Sequence, residues 1–274
     1  MEDKNKNIKI IIAGFMLIIV VVIISFVKPL FEKKPQTQPA DPAVAQAEKS
    51  IDSAKQISVS GLLKKITTNG NIIVLDIRSS DEFAAEHIIG SKNISISDLT
   101  NDLASLDKNK TYVIVDDGTS LDGISLAGTV MPNQGFKNVY YLTGGFPAWK
   151  NQFAPTISAG DPNSFVDQAK VTYINSDQLK NLIASNPSNL LILDVRTSNE
   201  FAAGHLSGAV NIYLDDLEND RAQIPIDKQI IVYDNDGLWA FQAAVRLYDL
   251  GFYNVKALSD GFNAWQQKGY PIVK

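Results

Sequence analysis

"IIVLDIRSSDEFAAEHIIGSKNISIS", residues 72–97, aligns without a gap to "LLILDVRTSNEFAAGHLSGAVNIYLD", residues 190–215, with 12 identities in 26 positions. The same offset, 118, carries Asp116 onto Asp234. A second block, "GFKNVYYLTGGFPAW" (135–149), matches "GFYNVKALSDGFNAW" (251–265) at nine of fifteen positions, now with an offset of 116. The first unit therefore carries two extra residues after Asp116. Units of roughly a hundred residues are too long for solenoid repeats, so the chain contains a duplicated domain.

Each copy alternates short apolar runs with helical patterns. In the second, strands are expected at 190–195, 230–234 and 254–258, a short helix at 198–205 and an amphipathic helix at 238–252. Strands separated by helices imply a mostly parallel sheet covered on both faces. The expected architecture is two consecutive three-layer α/β/α domains, 57–152 and 171–274, joined by a linker at 153–170.

Ahead of them, 10–27 reads "IIIAGFMLIIVVVIISFV", eighteen uncharged residues interrupted only by Ser25. As a helix it spans roughly 27 Å, the thickness of a bilayer's hydrocarbon core, and predicts one transmembrane helix. The residues after it, "KPLFEKKPQ", offer no cleavage site for a signal peptidase, so an uncleaved signal anchor is expected. A short tail at 1–9 precedes it, and the globular part is placed outside the cytoplasm at the cell membrane. Residues 28–56, rich in Pro, Gln, Ala and Lys, read as a flexible tether.

Composition excludes several chemistries. The 274 residues contain no cysteine, which removes disulfides, thiolate metal ligands and thiol nucleophiles within this chain. With two histidines a His-rich metal site is not expected, and neither metal nor cofactor is predicted. Residues 1–34 hold six lysines against three acids, leaving 19 bases against 27 acids in the remainder. A body of that sign repels phosphate backbones, so nucleic acid is not an expected partner. The predicted partners are the membrane, through 10–27, and a protein or small molecule that the sequence does not name.

The two signature blocks resemble those of the rhodanese family. "LDIRSSDEFAAEHIIGSKNI" and "LDVRTSNEFAAGHLSGAVNI" resemble its first signature, and the "GF.NV..L..GF.AW" blocks its carboxyl-terminal one. The resemblance implies a sulfurtransferase fold in which the strand "TYVIV" or "QIIVY" leads into a loop headed by a cysteine. That cysteine carries sulfur as a persulfide, within a nest of backbone N–H groups that binds anions. Here the matching positions are Asp116 and Asp234, and a carboxylate cannot carry sulfane sulfur.

The loops that follow, Asp116, Asp117, Gly118, Thr119 and Ser120 in one copy and Asp234, Asn235, Asp236, Gly237, Leu238 and Trp239 in the other, contain no base. They are the candidate binding loops, with Asp116 and Asp234 expected to accept hydrogen bonds from the free N–H groups at the following helix. No catalytic residue is assigned. Asp76, Arg78, Glu82 and His87, with Asp194, Arg196, Glu200 and His205, are expected to form a polar network that fixes the turn after the first helix. Trp149 and Trp265 are expected as core anchors of a closing helix.

These residues favour an inactive, membrane-anchored binding or scaffolding module, a pseudoenzyme on a sulfurtransferase fold. Two alternatives remain. One is a rhodanese-type enzyme with altered chemistry at the acidic loops or between the copies. The other is an Asp-dependent, Mg²⁺-requiring phosphatase, since "IIVYDNDG" also fits an apolar strand followed by D-x-D-G. The first copy, "VDDG", breaks that second pattern.

Overall fold

Two central sheets repeat the same strand order, and sequence alternation decides what each face buries. The computed structural model describes residues 54–68, 71–185 and 187–274. In the first copy the strands are β1 (Lys55–Ile57), β2 (Ile72–Asp76), β3 (Glu86–Ile88), β4 (Lys92–Asn93), β5 (Thr111–Val115), β6 (Asn138–Leu142) and β7 (Thr156–Ser158). The second contributes β8 (Thr172–Ile174), β9 (Leu190–Asp194), β10 (His205–Leu206), β11 (Ala209–Asn211), β12 (Gln229–Tyr233), β13 (Val255–Leu258) and β14 (Ile272–Val273). The sheet orders are β1-β6-β5-β2-β4 and β8-β13-β12-β9-β11, every pairing parallel. Both repeats belong to a single compact unit.

The central strands β5 and β12 are apolar from their second residue onward because both of their faces are covered. In β5, Tyr112 and Ile114 enter one core while Val113 and Val115 enter the opposite one. In β12, Ile230 and Val232 divide from Ile231 and Tyr233 in the same way. Such period-2 partition fixes register, since a one-residue slip would exchange the two cores.

Four expectations are adjusted by the structure. Lys55 and Gln56, read as the end of the tether, lie in β1, where they pair with Tyr140 and Tyr141. A three-residue edge strand with two polar members leaves no periodic trace in sequence. The linker at 153–170 is structured: β7 pairs antiparallel with β3, and Phe165–Gln168 is a helical turn capped by Ser164. The short helix expected at 198–205 ends at Ala203, and His205 lies in β10, paired with Val273. The helix expected at 238–252 spans Leu238–Asp249. Trp149 and Trp265 are buried in the closing helices Gly145–Asn151 and Gly261–Gln267, each indole N–H donating to a proline carbonyl, Pro155 and Pro271 respectively.

Among the described residues no helix is long and apolar enough to cross a membrane. The tail at 1–9, the span at 10–27 and most of the tether lie outside the described residues.

Candidate functional site

Asp116 and Asp234 are the first residues beyond the carboxyl ends of β5 and β12, where α/β folds present their ligands. Each loop is held from behind by the closing helix. Phe146 N–H donates to the Asp116 carbonyl at 2.8 Å, and Phe262 N–H to that of Asp234 at 2.7 Å. The residue before each Phe has to be glycine. Gly145 and Gly261 have φ of +58° and +64°, and an added Cβ would stand 2.5 Å from Asp116 Oδ1 and 2.4 Å from the Asn235 carbonyl oxygen. The paired "GF" of the second repeat block is therefore the imprint of a backbone contact.

The two aspartates turn their carboxylates onto the loop's own N–H groups. Asp234 Oδ1 accepts from Gly237 N at 2.7 Å and Oδ2 from Trp239 N at 3.0 Å, the latter in the first turn of the helix Leu238–Asp249. Asp116 Oδ1 accepts from Gly118 N at 2.9 Å and from the Tyr141 hydroxyl at 3.2 Å. Its Oδ2 is buried against the Gly123 backbone with no hydrogen-bond partner; that backbone N–H lowers the carboxyl's proton affinity without the alignment of a bond. Burial dominates at both sites and pushes both carboxyls above the ordinary value, against the N–H groups that pull them down. The negative partial charge that a nest of N–H groups attracts is thus supplied by the protein itself.

The two cradles differ at their mouths. In the second copy Arg196 Nη1 donates to Asn235 Oδ1 at 3.3 Å, and Asn235 Nδ2 to Glu200 Oε1 at 2.7 Å, which bridges the opening. The first copy has Asp117 at the matching position. Its Oδ1 accepts from Thr119 N and Ser120 N, while the hydrogen bonds from Ser79 hold the Glu82 carboxyl below its ordinary value, an effect that Arg78 adds to and Asp117 opposes. There a cavity of about 180 Å³ opens among Ile77, Glu82, Ile96, Asp116, Asp117 and Asp122. The helix after the loop starts at Asp122 in the first copy and at Leu238 in the second, six and four residues past the respective aspartates. The two extra residues of the first unit therefore lie in this loop.

The predicted polar network comprises three devices, two of them joined in the second copy through Asn235. Arg78 grips the fully buried Asp76 through Nε and Nη2 and donates on to the Glu86 carbonyl; Arg196 does the same with Asp194 and the Gly204 carbonyl. Each guanidinium also lies over the Phe of the closing helix, 3.7 Å above Phe146 and 4.1 Å above Phe262. Glu82 and Glu200 close capping boxes with Ser79 and Thr197. His87 and His205 stack on Phe83 and Phe201 and place Nδ1 on the carbonyls of those same residues. Asn93 and Asn211, outside the predicted network, belong to it: their side chains donate to the carbonyls of Asp76 and Arg78 and of Asp194 and Arg196. The shared "NI" in both copies was the available signal.

A larger cavity, about 270 Å³, lies where the repeats meet, bordered by His87, Glu218 and Arg246. Here Glu218 accepts from His87 and from Gly90 N, while Asp249 accepts from Ser158 N and pairs with Lys170. Among the described residues no group of three His, Asp or Glu is placed to hold a metal ion.

The sequence matches the Rhodanese-like domain family twice, over 59–152 and 175–268. A "Sulfurtransferase" of Allochromatium vinosum is 30% identical over 103 residues, 38% of this chain and 95% of that protein. The "Thiosulfate sulfurtransferase GlpE" of Shewanella oneidensis is 34% identical over 76 residues, 28% of this chain and 75% of that protein. A solved thiosulfate sulfurtransferase from Pseudomonas aeruginosa is 18% identical with a TM-score of 0.41, covering 80% of this chain and 43% of its own. With one matching domain in each repeat, the chain belongs to the rhodanese-like family.

Proposed function

We propose that this is a membrane-anchored tandem rhodanese-like protein that does not transfer sulfur from thiosulfate and serves as a binding or scaffolding module at the outer side of the cell membrane. One observation carries the reading. The carboxylates of Asp116 and Asp234 occupy the N–H groups at the head of each loop. A buried carboxylate there supplies no thiolate to attack sulfur and competes with any incoming anion for the same donors. The phosphatase reading loses its nucleophile for the same reason, because both oxygens of Asp234 are engaged and the residue is 3% exposed.

The test is thiocyanate formation from thiosulfate and cyanide by the full chain in detergent, beside a cysteine-bearing sulfurtransferase. The expected rate equals that of the reagents alone. A protein-dependent rate would overturn the reading and favour altered chemistry at the loops.

A further inference from the structure

The seam between the repeats is a joint of two halves, and the duplication supplies each half a second time. In the seam the turn of the first repeat docks onto the second. Glu218 accepts from His87 and from the Gly90 N–H, Ser158 N–H donates to Asp249 at 3.0 Å, and Gly160 lies against Gln242. The receiving face is built by the helical turn Leu214–Asp216 and the helix Leu238–Asp249, which presents Gln242 and Arg246 to the first repeat. The inserted half is β7 paired on β3, and its Ile157 is 3% exposed.

Both counterparts are open among the described residues. The first repeat's version of the receiving face is the helix Ile96–Asp102 with the helical stretch that starts at Asp122, where Leu126 and Val130 stand at the positions of Gln242 and Arg246. An apolar groove of about 230 Å³ lies there among Ile96, Leu99, Leu103, Leu126 and Val130, with Ile96 44% and Val130 36% exposed. The second repeat's version of the inserted half is β14 on β10, where Val273 pairs with His205 as Ile157 pairs with His87. Val273 is 40% exposed, and His205 bonds within its own repeat. Opposite charges flank the two, exposed Asp122 at the groove and exposed Lys274 beside Val273.

We propose that these halves join between chains: the β10–β14 edge of one copy enters the Ile96–Val130 groove of a second copy, repeating the internal seam head to tail. Burial of Ile96, Val130 and Val273 supplies the attraction, and the Asp122–Lys274 pair favours the orientation. The contact uses different surfaces on the two partners, so every added chain again offers a groove and an edge. Self-assembly of this kind goes beyond the scaffolding reading and does not depend on it.

The experiment is sedimentation velocity of the full chain in detergent over a wide range of concentration. The parent is expected to pass from monomer to dimer and larger species as concentration rises. V130E, which sets a second acid beside Asp122, and V273E, which removes the apolar edge, are each expected to weaken association at least about tenfold with unchanged melting. A mixture of the two variants is expected to form dimers that grow no further, because the V130E chain keeps its edge and the V273E chain keeps its groove. A parent that stays monomeric throughout would overturn the proposal and leave the groove to a different partner. Assembly of either variant equal to the parent's, or a mixture that stays monomeric, would overturn it as well and place any self-association elsewhere, 10–27 included.

Discussion

His87 Nε2 lies 3.0 Å from Glu218 Oε2, a contact between residues 131 positions apart that ties the turn of the first repeat to the second. The same carboxylate accepts the Gly90 N–H at 2.6 Å. His205, the equivalent histidine, keeps the stacking and the carbonyl contact of its own repeat. The duplicated chain therefore carries an internal control. H87A is expected to destabilise the protein more than H205A by about 1–2 kcal/mol, the worth of a charge-assisted hydrogen bond. Midpoints of urea unfolding measure the difference, and equal losses would mean that the contact adds nothing.

The same contact sets a pH dependence. Burial favours the neutral Glu218 carboxyl, but His87 and the Gly90 N–H outweigh it and hold the pKa below its usual 4.5. A folded value lower than the unfolded one gives stability that is present above 4.5 and lost as the pH falls through the folded value. Unfolding midpoints followed from pH 6 downward should fall less steeply in E218Q than in the parent. Identical slopes would assign the acid loss to other carboxylates.

Asp234 and Asp116 should differ in what they contribute. Asp234 satisfies two backbone N–H groups through two oxygens, so D234A is expected to cost about 1–2 kcal/mol, as the loss of a helix cap does. D116A removes a carboxylate with one oxygen unpaired and is expected to cost less. Thermal unfolding of the two variants gives the order. The reverse order would show that Tyr141 and Gly118 bind Asp116 more firmly than its burial weakens it.

Replacing Gly261 or Gly145 by alanine should be severe. Either Cβ would enter a space already held by loop atoms, and the positive φ adds strain, so a loss of at least about 2–3 kcal/mol is expected. Gly90 and Gly208 have φ of +75° and +78° with nothing within 4 Å of an added Cβ. G90A and G208A should therefore show only the backbone cost, about 1 kcal/mol. Comparable melting temperatures for all four variants would show that the loop yields to the methyl group.

The duplication was legible because it rests on local pattern. "LDIR" and "LDVR" recur at a strand end and "SSDE" and "TSNE" at a helix start, although only the structure divides their polar residues into buried Asp–Arg pairs and capping boxes. The position of the acidic loops followed from strand patterning, their match to the sulfur-carrying loop from the family resemblance, and their lack of thiol from composition. What sequence could not show was pairing across distance. Nothing in "KQI" announces β1, whose partners lie more than 80 residues away, and nothing around Glu218 announces His87. The contrast between the two mouths turns on one amide, Asn235 against Asp117, whose reach to Glu200 is visible only once the loop is folded.

The backbone seam between loop and closing helix carries one more implication. Phe146 and Phe262 fasten carbonyl groups, and Gly145 and Gly261 admit them, so the loop's course is dictated by main-chain atoms. The side chain at its head adds to that hold without setting the path. A frame fixed through its main chain tolerates exchange of the residue it presents, so the course of each loop and the chemistry at its head are set by separate parts of the sequence.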